Sequence, residues 1–463
     1  MNGATKILAD FVSGLRYEML PPETINIAKT LIMDYLGALI AAYDNNTAMG
    51  EKMTELILSM GGAPQATIIG QEQKVPVALA ALGNGTLSHI VELDDGHRIA
   101  RGHPGVSVIS ASLPMAEYLG VNGKQLLTAI VAGYDIFVRL ASSINPVHLD
   151  RGFHTTGTCG TVAAAAACAN LLGLDPEGTL NALGLGGLQA AGLIEVAESG
   201  QMAKPMHAGK AAFGGVLAGL LAKQNVEGPK AVIEGKKGIA VAMSDRCDFH
   251  VLLGDLGKHF HINDCYIKLY PSCRHTHSPV DAVLELKWNE EFDVGDVEKI
   301  TVVTFPAAIS IAGQIFEPVT AEEAKFSIAY CVCAALYCGN VSLRELKKDY
   351  LENPDILSLT KKVVIEADQA LESDGSDGSP KSKGAQVNIL LRDGRTISRL
   401  VLLPKGEQEN PVGFEESERK FYSCTSRYLD RDSAARAVSA IMSLDEMENT
   451  TELIKCLSRS LRH

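Results

Sequence analysis

Eighteen residues from Ser88 to Gly105 carry three carboxylates, three imidazoles and two guanidinium groups, a density that packing alone does not call for. Asp94 and His103 are among the groups there that could do acid–base work. Glu92, Asp95, His97 and Arg101 are candidate substrate contacts. Gly96, Gly102, Pro104 and Gly105 mark a loop leaving a helix that is expected to end near Asp94, and loops at helix ends let side chains converge on a cleft.

Three further clusters add cations and imidazoles. Arg151–Gly160 reads RGFHTTGTCG ahead of a helix expected over 161–172, so His154 stands where unpaired amides and the helix dipole favour an anion. In KPMHAGK, Pro205 suits a first helical turn, with Lys204 at the entry and Lys210 sharing a face with His207, which makes a carboxylate anchor. Lys268–Pro279 reads KLYPSCRHTHSP. Crowding by other cations eases proton loss from Lys268 and makes it a candidate base, while Arg274, His275 and His277 are candidate substrate contacts.

These groups sit in a chain whose formal net charge is −13. Nucleic acid and anionic membrane surfaces are therefore excluded as partners, because attraction to phosphate needs excess Lys and Arg, and an anionic ligand needs a local cationic island. The ten cysteines form no CxxC pair, which argues for reduced thiols and against structural zinc or an iron–sulfur cluster. Residues 1–17 lack an apolar run of signal length, so a cytoplasmic location is expected.

The elements that must position the clusters are mostly helical. Apolar side chains recur at helical spacing over 24–43, 77–91, 106–119, 123–142, 157–172, 179–193 and 208–223, many of them Ala- and Gly-rich, and small residues let helix axes approach closely. After Tyr270 the texture changes: 297–305, 362–367, 385–391 and 396–402 read as strands, interleaved with helices at 280–287 and 321–338, and 372–384 reads as an exposed loop. Helical patterning returns from Phe414. The expectation is a mainly α chain, with a large helical-bundle domain made of 1–268 and 408–463 and a smaller α+β domain over 269–407.

With Asn84–His89 leading to Glu92–Asp95, with GFHTTGTCG, KPMH, KLYPSCRHTH, Ala324–Tyr330 and Pro404–Pro411 all in order, the sequence resembles the MmgE/PrpD family over nearly its whole length. That family includes 2-methylcitrate dehydratase, cis-aconitate decarboxylase and iminodisuccinate epimerase. The resemblance implies an inserted α+β lid, a homodimer, no metal or other cofactor, and site residues at an acid of the Glu92–Asp95 segment, His103, His154, Lys204 and Lys268. Gly96-His97 stands where the decarboxylase branch has a hydroxyl residue, in a loop about one residue longer, which weakens the decarboxylase reading and leaves the subfamily open.

The expected activity is that of a lyase removing a proton next to a carboxylate of a small di- or tricarboxylic acid, through dehydration of 2-methylcitrate or citrate. In that scheme Lys268 or His154 takes the proton, His103 protonates the leaving hydroxyl, and Lys204 with Arg274 or His275 holds carboxylates. Decarboxylation of cis-aconitate and epimerisation of iminodisuccinate stand as alternatives. From other classes stand a metal-dependent hydrolase using His275 and His277, and a noncatalytic binder of small acids.

Overall fold

The computed structural model describes residues 3–43, 48–198, 202–373 and 381–458. The chain divides into two compact units, residues 1–267 with 413–463, and residues 268–412. The fold is mainly helical.

In the first unit the Thr155–Leu171 helix is buried along almost its whole length, packed by the Met206–Lys223, Gly123–Ile144, Gly105–Leu119 and Pro176–Leu188 helices. Its run of alanines explains how one helix accepts so many neighbours: a Cβ added at Gly215 would lie 2.3 Å from Ala164 Cβ, so the two backbones approach to a distance only small residues permit. The Val77–His89 helix crosses Met206–Lys223 in the same way, since a Cβ on Gly85 would meet Gly209 Cα at 2.7 Å. The return segment docks through its Phe414–Thr425 helix onto Pro22–Ala41. Pro22–Ala41 and Gly123–Ile144 have the length and hydropathy of membrane spans, but 78% and 94% of their apolar windows are buried inside the fold, as in core helices.

The second unit is built on a four-stranded sheet in the order Val363–Ala367, Val297–Thr304, Ala385–Leu391, Thr396–Val401. The first two strands pair parallel and the others antiparallel. Alternation places Ile300, Val302, Val387 and Ile389 on a buried face, against which the His277–Asn289 and Ile328–Cys338 helices complete the core. The helix expected over 321–338 is two, Ala321–Lys325 and Ile328–Cys338. Ser327 interrupts it by capping the second helix, its Oγ accepting from Tyr330 N at 3.0 Å. Of the loop expected over 372–384, residues 374–380 lie outside the described residues; its flanks Glu372–Ser373 and Ser382–Lys383 pair as a short ladder.

Candidate active site

The Val77–His89 helix ends at His89 rather than near Asp94. Glu92, with φ 54°, takes the left-handed backbone that non-glycine residues avoid and turns the chain out of the helix direction. The resulting loop folds back so that Asp94 lies between two imidazoles. His89 Nδ1 is 3.0 Å from both carboxylate oxygens, and His103 Nδ1 is 2.9 Å from Oδ2. His103 Nδ1 also lies 2.8 Å from the Asp95 carbonyl. Only a donor is accommodated by two acceptors, so that nitrogen carries the proton and the ring's tautomer is set. Burial by itself would raise the pKa of Asp94, but the charges and hydrogen bonds of His89 and His103 outweigh it and hold the carboxyl well below its usual range.

His154 sits at the cap of the Thr155–Leu171 helix, its backbone N–H bonded to Gly192 O at 2.9 Å. The helix starts six residues ahead of the expected 161, and the Thr-Thr-Gly-Thr-Cys-Gly run forms its first turns. Thr156 Oγ1 accepts from His103 N at 3.2 Å, which ties this helix start to the acidic loop. The Nδ1 atoms of His154 and His207 are 2.8 Å apart, an arrangement that requires at least one ring to be neutral, because one nitrogen must accept. Burial, followed by the charges of Lys204, His207, His89 and His103, drives the pKa of His154 well down. Burial also lowers His207, helped by His89, Lys210 and Lys204. Lys204 is paired with Glu92, both largely buried. Lys210 donates to the Gln189 carbonyl, and burial lowers its pKa to about 8.

Asp94, His103, His154, Lys204, Glu92, His207 and Lys210 thus share one electrostatic neighbourhood in the first unit. Asp95 supports it from beneath, buried beside Tyr134, where burial and the charges of Asp94 and Asp34 push its pKa well up. His97 goes elsewhere: its ring faces His261 and Asp264, because a tight turn from His97 to Gly102 points it away from Asp94. Arg101 is exposed at that turn, with φ 50°.

The remaining candidates belong to the second unit. Lys268 is buried, and His275 stacks edge-on to Phe305 at 5.3 Å between ring centres. Arg274 donates to Glu407 at 2.9 Å and to His277 Nδ1 at 2.9 Å, so the expected carboxylate clamp already holds a protein carboxylate. The His275 ring meets Phe305, and His277 meets Arg274. Sequence reasoning gave His89 no role. Its signal was its place in the same dense segment, but the pairing with Asp94 depends on the helix stopping at His89.

What fold and site define is a histidine-rich acid–base centre at the ends of helices in an α-helical unit, with an α+β unit inserted in the chain. The chain belongs to the MmgE/PrpD family: residues 6–252 match the MmgE/PrpD N-terminal domain and residues 270–446 the MmgE/PrpD C-terminal domain. It is 27% identical to the cis-aconitate decarboxylase of Aspergillus terreus, covering 99% of this chain and 96% of the relative. To the cis-aconitate decarboxylase of Homo sapiens it is 24% identical, with 99% and 95% covered. To the 2-methylcitrate dehydratase of Escherichia coli it is 22% identical, with 88% and 85% covered.

Proposed function

We propose that this protein is a lyase acting on a small tricarboxylic acid by proton transfer at a carbon next to a carboxylate. The observation that carries the reading is the Asp94 carboxylate shared by His89 and His103, set beside a His154–His207 pair that burial keeps neutral. Neutral His154 is a base at physiological pH. His103, its Nδ1 proton fixed by Asp94 and the Asp95 carbonyl, exchanges protons through Nε2. Lys204 offsets the negative charge that builds beside an existing carboxylate, the term that dominates such barriers.

In a dehydration, His154 takes the α-proton, the C–O bond breaks, and His103, entering the step as the imidazolium, gives its Nε2 proton to the departing hydroxyl, which leaves as water and leaves His103 neutral. The substrate is then 2-methylcitrate or citrate. Full-length coverage by cis-aconitate decarboxylases favours a second reading on the same groups. There the C–C bond to a carboxylate breaks, CO2 departs, and His103, as the imidazolium, protonates the carbanion through Nε2. Lys268 is the other candidate base, and full turnover in Lys268→Ala would remove it. The reading also carries a homodimer, which sedimentation equilibrium tests.

The deciding experiment incubates the protein with 2-methylcitrate, citrate, cis-aconitate and iminodisuccinate in deuterated water and follows proton NMR. Each active substrate gives a distinct product. Absence of both product and α-proton exchange in all four would overturn the lyase reading.

A further inference from the structure

A second convergence of metal-ligating side chains lies in the first unit, apart from the Asp94 cluster. Asp264 Oδ2 is 2.8 Å from His259 Nε2 and 2.8 Å from His261 Nδ1. His97 joins them: one ligand atom each from His97, His261 and Asp264 lies within 4.8 Å of the others. An antiparallel bridge, with Tyr266 N donating to Gly96 O at 2.8 Å and Gly96 N to Tyr266 O at 3.2 Å, fixes the two segments so that these side chains face one another. None of them enters the proton-transfer scheme.

We propose that His97, His261 and Asp264 form a binding site for a first-row divalent cation of the zinc class, with His259 held against the Asp264 carboxylate beside it. Two imidazoles and one carboxylate, with water in the fourth position, suit such ions, and bonds of about 2.0–2.2 Å in a tetrahedron separate ligand atoms by roughly 3.3 Å. The 2.8 Å contact of His261 with Asp264 and the 4.8 Å limit for all three bracket that separation, so small side-chain rotations open the site. Ala100 N donates to His97 Nδ1 at 3.1 Å, leaving Nε2 as the ligand nitrogen. Metal binding there moves the ring proton to Nδ1 and gives up that long hydrogen bond. His259 and His261 are partly exposed, which gives the ion a way in. Because His97 lies in the loop that also carries Asp94 and His103, the ion would staple that loop to the 259–266 segment.

The test dialyses the chelator-treated full chain against Zn2+ and measures bound metal, with Co2+ as a spectroscopic probe of coordination. One Zn2+ per chain and the intense visible absorption of tetrahedral Co2+ are expected. His261→Asn and Asp264→Asn should each weaken binding at least tenfold, while His103→Asn keeps it. His261 is partly exposed, so His261→Asn leaves the buried packing alone. Unchanged affinity in both His261→Asn and Asp264→Asn would overturn the site. So would loss of binding in His103→Asn alone, which would put the metal on Asp94.

Discussion

Lys420 Nζ, on the helix contributed by the return segment, donates to the backbone carbonyl of Leu93 at 2.7 Å, one residue ahead of Asp94. The same ammonium is paired with Asp34 of the Pro22–Ala41 helix, and both side chains are buried. A charge brought from more than three hundred residues downstream therefore holds the acidic loop where Glu92 has turned it out of the helix. The position of Asp94 depends on a tertiary ion pair as well as on local geometry.

Replacing Lys420 by Met should destabilise the protein by about 3–5 kcal/mol, because it breaks a buried ion pair by removing one partner. Denaturant unfolding measures this. Adding Asp34→Asn should recover part of the stability, yet turnover should stay low, since neither change restores the hold on Leu93 O. Equal recovery of stability and turnover would mean that Lys420 acts on the fold alone.

The pH profile tests His154. Burial is the largest cause of its lowered pKa, and the Lys204 charge follows. As the base it must be unprotonated, so kcat/KM should hold to well below the ordinary imidazole value of about 6.5. Lys204→Met removes a neighbouring positive charge, making protonation easier. The acid limb of the profile should then move to higher pH, by less than a full return to 6.5 because burial persists. An acid limb that stays in place while the overall rate falls would assign that limb to another group.

Much of this was legible in the sequence. Apolar periodicity marked the helices, and the crowding of acids and imidazoles between Ser88 and Gly105 marked the site. What could not be read depends on long-range contact or on a backbone choice that composition does not signal. No breaker stops the Val77–His89 helix before Asp94; the left-handed Glu92 does, and with it comes the His89–Asp94 pairing. His97, two residues from Asp95, was read into the pocket on proximity alone, whereas the turn to Gly102 delivers it to Asp264. The parallel pairing of Val297–Thr304 with Val363–Ala367 likewise joins strands that local patterning leaves unassigned.

Asp95 should make stability depend on pH. Its folded-state pKa is raised well above the unfolded value of about 3.9, chiefly by burial and then by Asp94 and Asp34. A raised pKa means stability that is complete below about 3.9 and is lost as pH climbs toward the folded value, because the unfolded chain releases a proton the folded one retains. Asp95→Asn removes that loss. Its stability relative to wild type should therefore increase from pH 4 upward, read from unfolding midpoints at several pH values. A pH-independent difference would show that Asp95 ionises in the folded protein much as it does in the unfolded chain.

The crossing of the two helices that bring His89 and His207 into one neighbourhood depends on Gly209. A Cβ there would lie 2.3 Å from Leu82 O and 2.3 Å from Thr86 Oγ1, and neither the backbone carbonyl nor the short, bonded hydroxyl yields cheaply. Gly209→Ala must push the Met206–Lys223 helix away from Val77–His89, at a cost of about 1–3 kcal/mol in stability. His207, two residues from the wedge, moves with its helix, so the spacing between the His154–His207 pair and the Asp94 cluster widens. Turnover should fall at least tenfold, more than KM changes, since proton transfer is sensitive to sub-ångström displacement. Gly14→Ala, where nothing lies within 4 Å of the added carbon, should leave both stability and turnover nearly unchanged. If Gly209→Ala lost stability but kept its kcat, the acid–base groups would have to tolerate a change in helix spacing, and their proton transfers with substrate would not depend on the close crossing.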